Sequence, residues 1–90
     1  MFKIIDKQQL APQIYRMRVV APEVAKSAKP GQFVIVIGDA KGERIPLTIC
    51  DYNAQEGTVS VVIQAIGRST KKLVAFEEGQ SYPDFVGPLG

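Results

Sequence analysis

Ninety residues, 46% apolar and 22% charged, are enough for one ordinary globular domain and too few for two. The net charge of +2 comes without any run of like charges, so neither nucleic acid nor a membrane surface is expected as a partner. With no His, hydrolysis by a His base and His-ligated metal are excluded; with Cys50 alone, so are an internal disulfide and a cysteine-ligated cluster within these residues.

The first strand is predicted over Phe2–Gln9, leading into a turn at Ala11-Pro12. Lys3, Asp6 and Lys7 interrupt any signal-peptide layout there, and the longest apolar run, Phe33–Ile37, is far too short to span a membrane. A cytoplasmic protein is expected. Ile14–Ala21 alternates between apolar and polar residues and stops at Pro22, which makes a second strand. Pro30-Gly31 is a turn signal, and Gln32–Gly38 after it is a nearly continuous β-branched run that predicts burial on both faces. Asp39–Gly42 is polar and turn-forming.

Next, Ile45, Leu47 and Ile49 alternate with Arg44, Pro46 and Thr48, the period of a half-buried strand. Pro46 cannot donate to a ladder and belongs on an edge or beside a break in pairing. Something other than a neighbouring strand is therefore expected along part of this segment. Asn53–Gly57 is a turn, and Thr58–Ile66 is the clearest strand of the chain. Ser69–Phe76 then changes to a helical period, with Ser69 able to cap its start and Gly79 able to end it. Ser81–Val86 returns to extended chain. Six short strands spaced by about ten residues, with one short helix, predict an all-β, six-stranded antiparallel Greek-key barrel.

Gly67-Arg68-Ser69-Thr70 lies between a strand and a helix. Backbone N–H groups at a helix start are unpaired and sit at its positive end, and a glycine there lets an anion come close. Taken alone, the stretch is more often a plain helix cap, just as Pro46–Thr48 alone is more often an ordinary barrel strand. Tyr52 and Asn53 read as a turn, Lys71 and Lys72 as a solvated helix face, Glu77-Glu78 as a solvated helix end, and Cys50 as a small packing residue.

Three stretches in order, Pro30-Gly31-Gln32-Phe33-Val34, Arg44-Ile45-Pro46-Leu47-Thr48-Ile49 and Gly67-Arg68-Ser69-Thr70, followed by Gly87-Pro88-Leu89-Gly90, carry a resemblance. Together they resemble the flavin-binding barrel of the ferredoxin–NADP reductase superfamily, over essentially the whole chain. Within it the likeness is to the flavin subunits of NADH-dependent ferredoxin:NADP oxidoreductase (sulfide dehydrogenase) and to dihydroorotate dehydrogenase electron-transfer subunits. The resemblance implies FAD as cofactor, held by Arg44, Pro46, Leu47, Thr48, Ile66, Gly67, Ser69 and Thr70. In its motif Leu47 falls at an aromatic position facing the isoalloxazine, and Thr48 falls near flavin N5. The motif's diphosphate arginine falls at Ile45, one residue past Arg44, so the helix-start amides are expected to do most of the phosphate binding.

The resemblance further implies an NAD(P)-binding domain after residue 90 and a larger iron–sulfur or flavin partner subunit, with residues 1–90 as the FAD-binding barrel. Those ninety residues alone are not expected to oxidise NAD(P)H. The bared barrel can form a homodimer where the missing domain would sit. The alternative is a non-catalytic β-barrel interaction module. A nucleic-acid-binding version of it lacks a basic, aromatic-lined strand face, because Tyr15, Phe33, Tyr52 and Tyr82 are scattered.

Overall fold

The computed structural model describes residues 2–39 and 42–90. Along the described chain run β1 (Phe2–Ala11), β2 (Ile14–Val20), α1 (Pro22–Ser27), β3 (Phe33–Ile37), β4 (Ile45–Asn53), β5 (Thr58–Gln64), α2 (Arg68–Val74), β6 (Ser81–Tyr82) and β7 (Asp84–Leu89). The strands form one antiparallel sheet in the order β6-β1-β2-β5-β4-β3-β7. The β3–β4 hairpin thus folds back so that β5 returns beside β2, a Greek-key path. The sheet's two outer strands, β6 and β7, are separated in the chain by Pro83 alone, so the sheet curls into a nearly closed barrel.

Period-2 alternation fills the barrel. Met17 and Val19, Val34 and Val36, and Val59, Val61 and Ile63 are each fully buried, with Ile4, Leu73 and Phe85 beside them. Each such side chain contributes about 1.5–3 kcal/mol on leaving water. Tyr82 is fully buried as well; its hydroxyl donates to the Leu73 carbonyl at 2.8 Å and ties α2 to the barrel. Burial pushes the Tyr82 phenol well above its ordinary pKa.

The predicted architecture holds, with two differences. The final extended stretch is two strands instead of one, because Pro83 ends the short ladder with β1 and the chain crosses to pair with β3. The second difference is α1, where Pro22 had marked only a strand end. Pro22 opens the helix at its first turn, a position that needs no N–H donor. Val24, Ala25 and Ala28 are buried and join the hydrophobic core.

The turn at Pro30-Gly31 forms as expected, with Gly31 at φ +86° and the Gln32 N–H donating to Lys29 O at 3.3 Å. In the turn read over Asp39–Gly42, Gly42 N–H donates to Asp39 O at 3.1 Å; Ala40 and Lys41 lie outside the described residues. In β3 the run expected to be buried on both faces is fully buried on one. Val34 and Val36 face the core, whereas Phe33, Ile35 and Ile37 are half-buried on the outer side.

Candidate functional site

The two halves of β4 have different neighbours. Ile45–Thr48 pairs with β3, as Val36↔Ile45, Ile35↔Pro46, Val34↔Leu47 and Phe33↔Thr48. Ile49–Asn53 pairs with β5, as Ile49↔Val61, Asp51↔Ser60, Tyr52↔Val59 and Asn53↔Thr58. Between Ile49 and Asp51 the register slips by one, so Cys50 is the extra residue of a β-bulge. A bulge bends its strand, and beyond this one β4 parts from β5.

That parting explains Pro46. Ile49 N–H donates to Gln32 O at 2.9 Å, so odd-numbered residues of this half bond toward β3. Backbone groups of Pro46 and Thr48 then point the other way, to the edge that β5 has left. Proline loses nothing there, and the Thr48 N–H is offered to whatever fills the gap. The expected missing neighbour is real, and it is a space.

The space is a groove of about 590 Å³ lined by Ile45, Pro46, Leu47, Thr48 and Cys50 of β4, Val62 and Gln64 of β5, Ile14 of β2, and Ile66 and Thr70. The β2–β5 register places Ile14 opposite Gln64, which brings two distant stretches to one wall. Sequence reasoning had not picked out Ile14, Val62 or Gln64. Val62 carried a signal, since it follows buried Val61 and breaks the alternation with an outward apolar residue, 36% exposed.

The groove reverses the expected role of Leu47. Leu47 is 7% exposed and belongs to the core cluster, so it turns its side chain inward with Ile45 and Ile49. Pro46 and Thr48, both exposed, present their side chains outward instead. Cys50 is likewise exposed and lines the groove instead of packing inside, and its thiol donates to Ser60 O at 3.4 Å. Burial pushes that thiol's pKa above its ordinary value, against a smaller lowering by the Arg16 charge.

At the groove's end Gly67 precedes the first turn of α2. The Thr70 hydroxyl accepts from the Gly67 N–H at 3.0 Å and donates to the Gly67 carbonyl at 3.1 Å. Thr70 rather than Ser69 therefore caps the helix, and its hydroxyl is engaged. Lys71 N–H makes the first intrahelical bond, to Gly67 O at 2.9 Å, so the amides of Arg68, Ser69 and Thr70 precede the ladder. Ile66, 65% exposed, stands between this turn and the groove. A second cavity of about 190 Å³ adjoins the turn, lined by Arg68, Ser69 and Lys72 on one side and Asp39 and Glu43 on the other. Arg44 is exposed just before β4 and lines neither space.

The remaining candidates stay apart from the groove. Asn53 serves the turn, accepting from Glu56 N–H on its side chain at 3.0 Å and from Gly57 N–H on its carbonyl at 2.8 Å. Glu77 and Glu78 bind Lys7 of β1, through its ammonium and its backbone N–H, each at 3.0 Å. Among the described residues no group of His, Cys, Asp or Glu could hold a metal ion, and no helix is long and apolar enough to cross a membrane.

No family model matches the chain. Individual proteins do. An uncharacterized protein in the adh 3' region of Clostridium beijerinckii is 58% identical over 90 residues, all of this chain and 30% of its own length. A Thermotoga maritima protein, a homolog of the dihydroorotate dehydrogenase B (NAD(+)) electron transfer subunit, is 40% identical over 88 residues, 98% of this chain and 31% of its own. The chain is homologous to about a third of that electron transfer subunit homolog. Its fold agrees: the whole chain superposes with a TM-score of 0.96, at 39% identity, on 33% of a chain of the NADH-dependent reduced ferredoxin–NADP oxidoreductase, a structure described for flavin-based electron bifurcation. The homologue is thus a ferredoxin reductase-like barrel, and it spans about a third of the length of the relatives it matches.

Proposed function

We propose that this barrel is the FAD-binding domain of an electron-transfer oxidoreductase subunit, and that the groove between β4 and β5 holds the isoalloxazine. The observation that carries the reading is the open edge of β4: a strand that ends its pairing beside a mostly apolar groove and points a backbone N–H into it. A flat, amphipathic ring suits that edge, with apolar faces for Pro46, Val62 and Ile66 and polar edge atoms for the Thr48 N–H and hydroxyl. Leu47 contributes backbone, since its side chain is in the core. The diphosphate belongs at Gly67–Thr70, where the Arg68–Thr70 amides and the Ser69 hydroxyl are the donors. Arg44, exposed just before β4 and outside both spaces, adds at most a solvated charge.

FAD supplies the chemistry when bound, accepting a hydride and releasing electrons singly. This chain positions the ring and shields one side of it from water. In the whole protein, electrons would pass between NAD(P)H, the flavin and an iron–sulfur centre, through an NAD(P)-binding domain and a larger partner subunit. The ninety residues alone are expected not to turn over NAD(P)H, because hydride transfer needs the nicotinamide held in near-attack geometry. Titration of the purified chain with FAD, followed by absorbance and flavin fluorescence, tests the reading. Saturable binding with a shifted flavin spectrum is expected; a colourless protein that ignores FAD would leave the barrel a non-catalytic interaction module.

A further inference from the structure

On the outer face of the barrel, Gln8 of β1, Arg16 of β2 and Val62 of β5 lie side by side, and Val62 is part of the groove wall. Arg16 stands behind that wall and is not itself part of the lining. Resting on the reading that FAD occupies the groove, we propose that Arg16 makes the bound flavin easier to reduce, by holding a fixed positive charge behind it.

The guanidinium is held from the β1 side. Arg16 Nη2 donates to Gln8 Oε1 and lies 4.0 Å from the Asp6 carboxylate, with 34% of the side chain exposed. Its Nε is buried and has no hydrogen-bond partner among the described residues. A charge held this way is screened less than one on a free surface side chain. It also stays charged at any pH the protein meets, because a guanidinium does not deprotonate there. Its neutralisation is incomplete, since Asp6 is the register partner of Arg18 as well as the ion-pair partner of Arg16.

The charge is felt in the groove. Cys50 is part of the lining, and of the charges acting on its thiol Arg16 outweighs the neighbouring Asp51. The field of these groups therefore favours an anion there, across the roughly 10 Å that two strand spacings span. The oxidised ring is neutral, and on taking up two electrons and one proton it becomes an anion. Arg16 then attracts the reduced ring more than the oxidised one, and by linkage that difference in affinity is a rise in midpoint potential. Arg16 touches no reacting atom in this account; it acts through space.

The test is the midpoint potential of the FAD-loaded ninety-residue chain, measured by reductive titration against a reference dye. Arg16→Gln should lower it by about 30 mV, the equivalent of a tenfold loss in the preference for reduced over oxidised flavin. Arg16→Lys keeps the charge and should stay close to the unmodified chain, and Asp6→Asn removes the opposing charge and should raise the potential. Without FAD, Arg16→Gln should slow the reaction of Cys50 with an aromatic disulfide reagent at fixed pH, because less of the thiol is ionised. An unchanged potential in Arg16→Gln, or an equal fall in Arg16→Lys, would overturn the proposal and leave the groove reading standing. Should Arg16→Gln not fold, Asp6→Asn decides, and a potential that does not rise overturns the proposal. If the unmodified chain binds no FAD, the groove reading falls and this one falls with it.

Discussion

The two halves of β4 are built from the same kind of sequence and end in opposite situations. Ile49–Asn53 pairs with β5 and is barrel wall; Ile45–Thr48 pairs with β3 and faces a groove where β5 has parted from it. A single extra residue, Cys50, sits just past their boundary. The contrast teaches that a barrel can open a strand edge onto a groove without a dedicated loop. One bulge bends the strand away from β5 and leaves the Pro46–Thr48 edge without a strand partner on that side.

Proline substitution on either side of that boundary should separate the halves most sharply. Ile49→Pro removes the donor to Gln32 O and a side chain only 5% exposed. An orphaned acceptor costs about 1–3 kcal/mol and truncating a buried Ile about 2–5, so a loss of about 3 kcal/mol or more is expected in a urea melt. Thr48→Pro, one residue earlier, deletes an N–H that serves no strand. It should leave the melt nearly unchanged and weaken FAD binding about tenfold, or about 1.4 kcal/mol, by fluorescence titration. If both variants unfold alike, Thr48 is part of the ladder and the open edge does not exist.

Arg44→Ala sharpens the same contrast at its outer margin. Arg44 is solvated and outside both spaces, and an exposed charge contact is worth about 0–1 kcal/mol. FAD affinity should fall by less than about tenfold, whereas a hundredfold loss would show that the arginine reaches the diphosphate directly. The smallest effect concerns the bulge itself. Burial raises the Cys50 pKa, so at a given pH less of it is thiolate than in a free cysteine. Its reaction with an aromatic disulfide reagent should be slower than that of a small free thiol, should accelerate as pH rises, and should slow further when FAD covers the groove.

Much of this was legible in the sequence, because alternation and turn residues act locally. The strands, the helix near Ser69 and the proline at an edge all follow from patterns a few residues long. Leu47 is instructive: its own alternation with Ile45 and Ile49 sends it inward, the resemblance's aromatic position sends it outward, and the structure follows the alternation. What local pattern could not give was anything set by long-range register. Ile14 and Gln64 meet only because β2 pairs with β5, and the bulge at Cys50 appears only when Ser60 and Val61 are laid against it. Helix α1 was hidden for another reason, since Pro22 ends a strand and opens a helix equally well.

Amide hydrogen exchange at Thr48 and Ile49, resolved by NMR with and without FAD, tests the central claim most directly. Without FAD, Ile49 should be protected through its bond to Gln32 O and Thr48 should exchange quickly; with FAD, Thr48 should gain protection together with Arg68–Thr70. A Thr48 amide already protected without FAD, or one that FAD leaves unchanged while binding, would contradict the account.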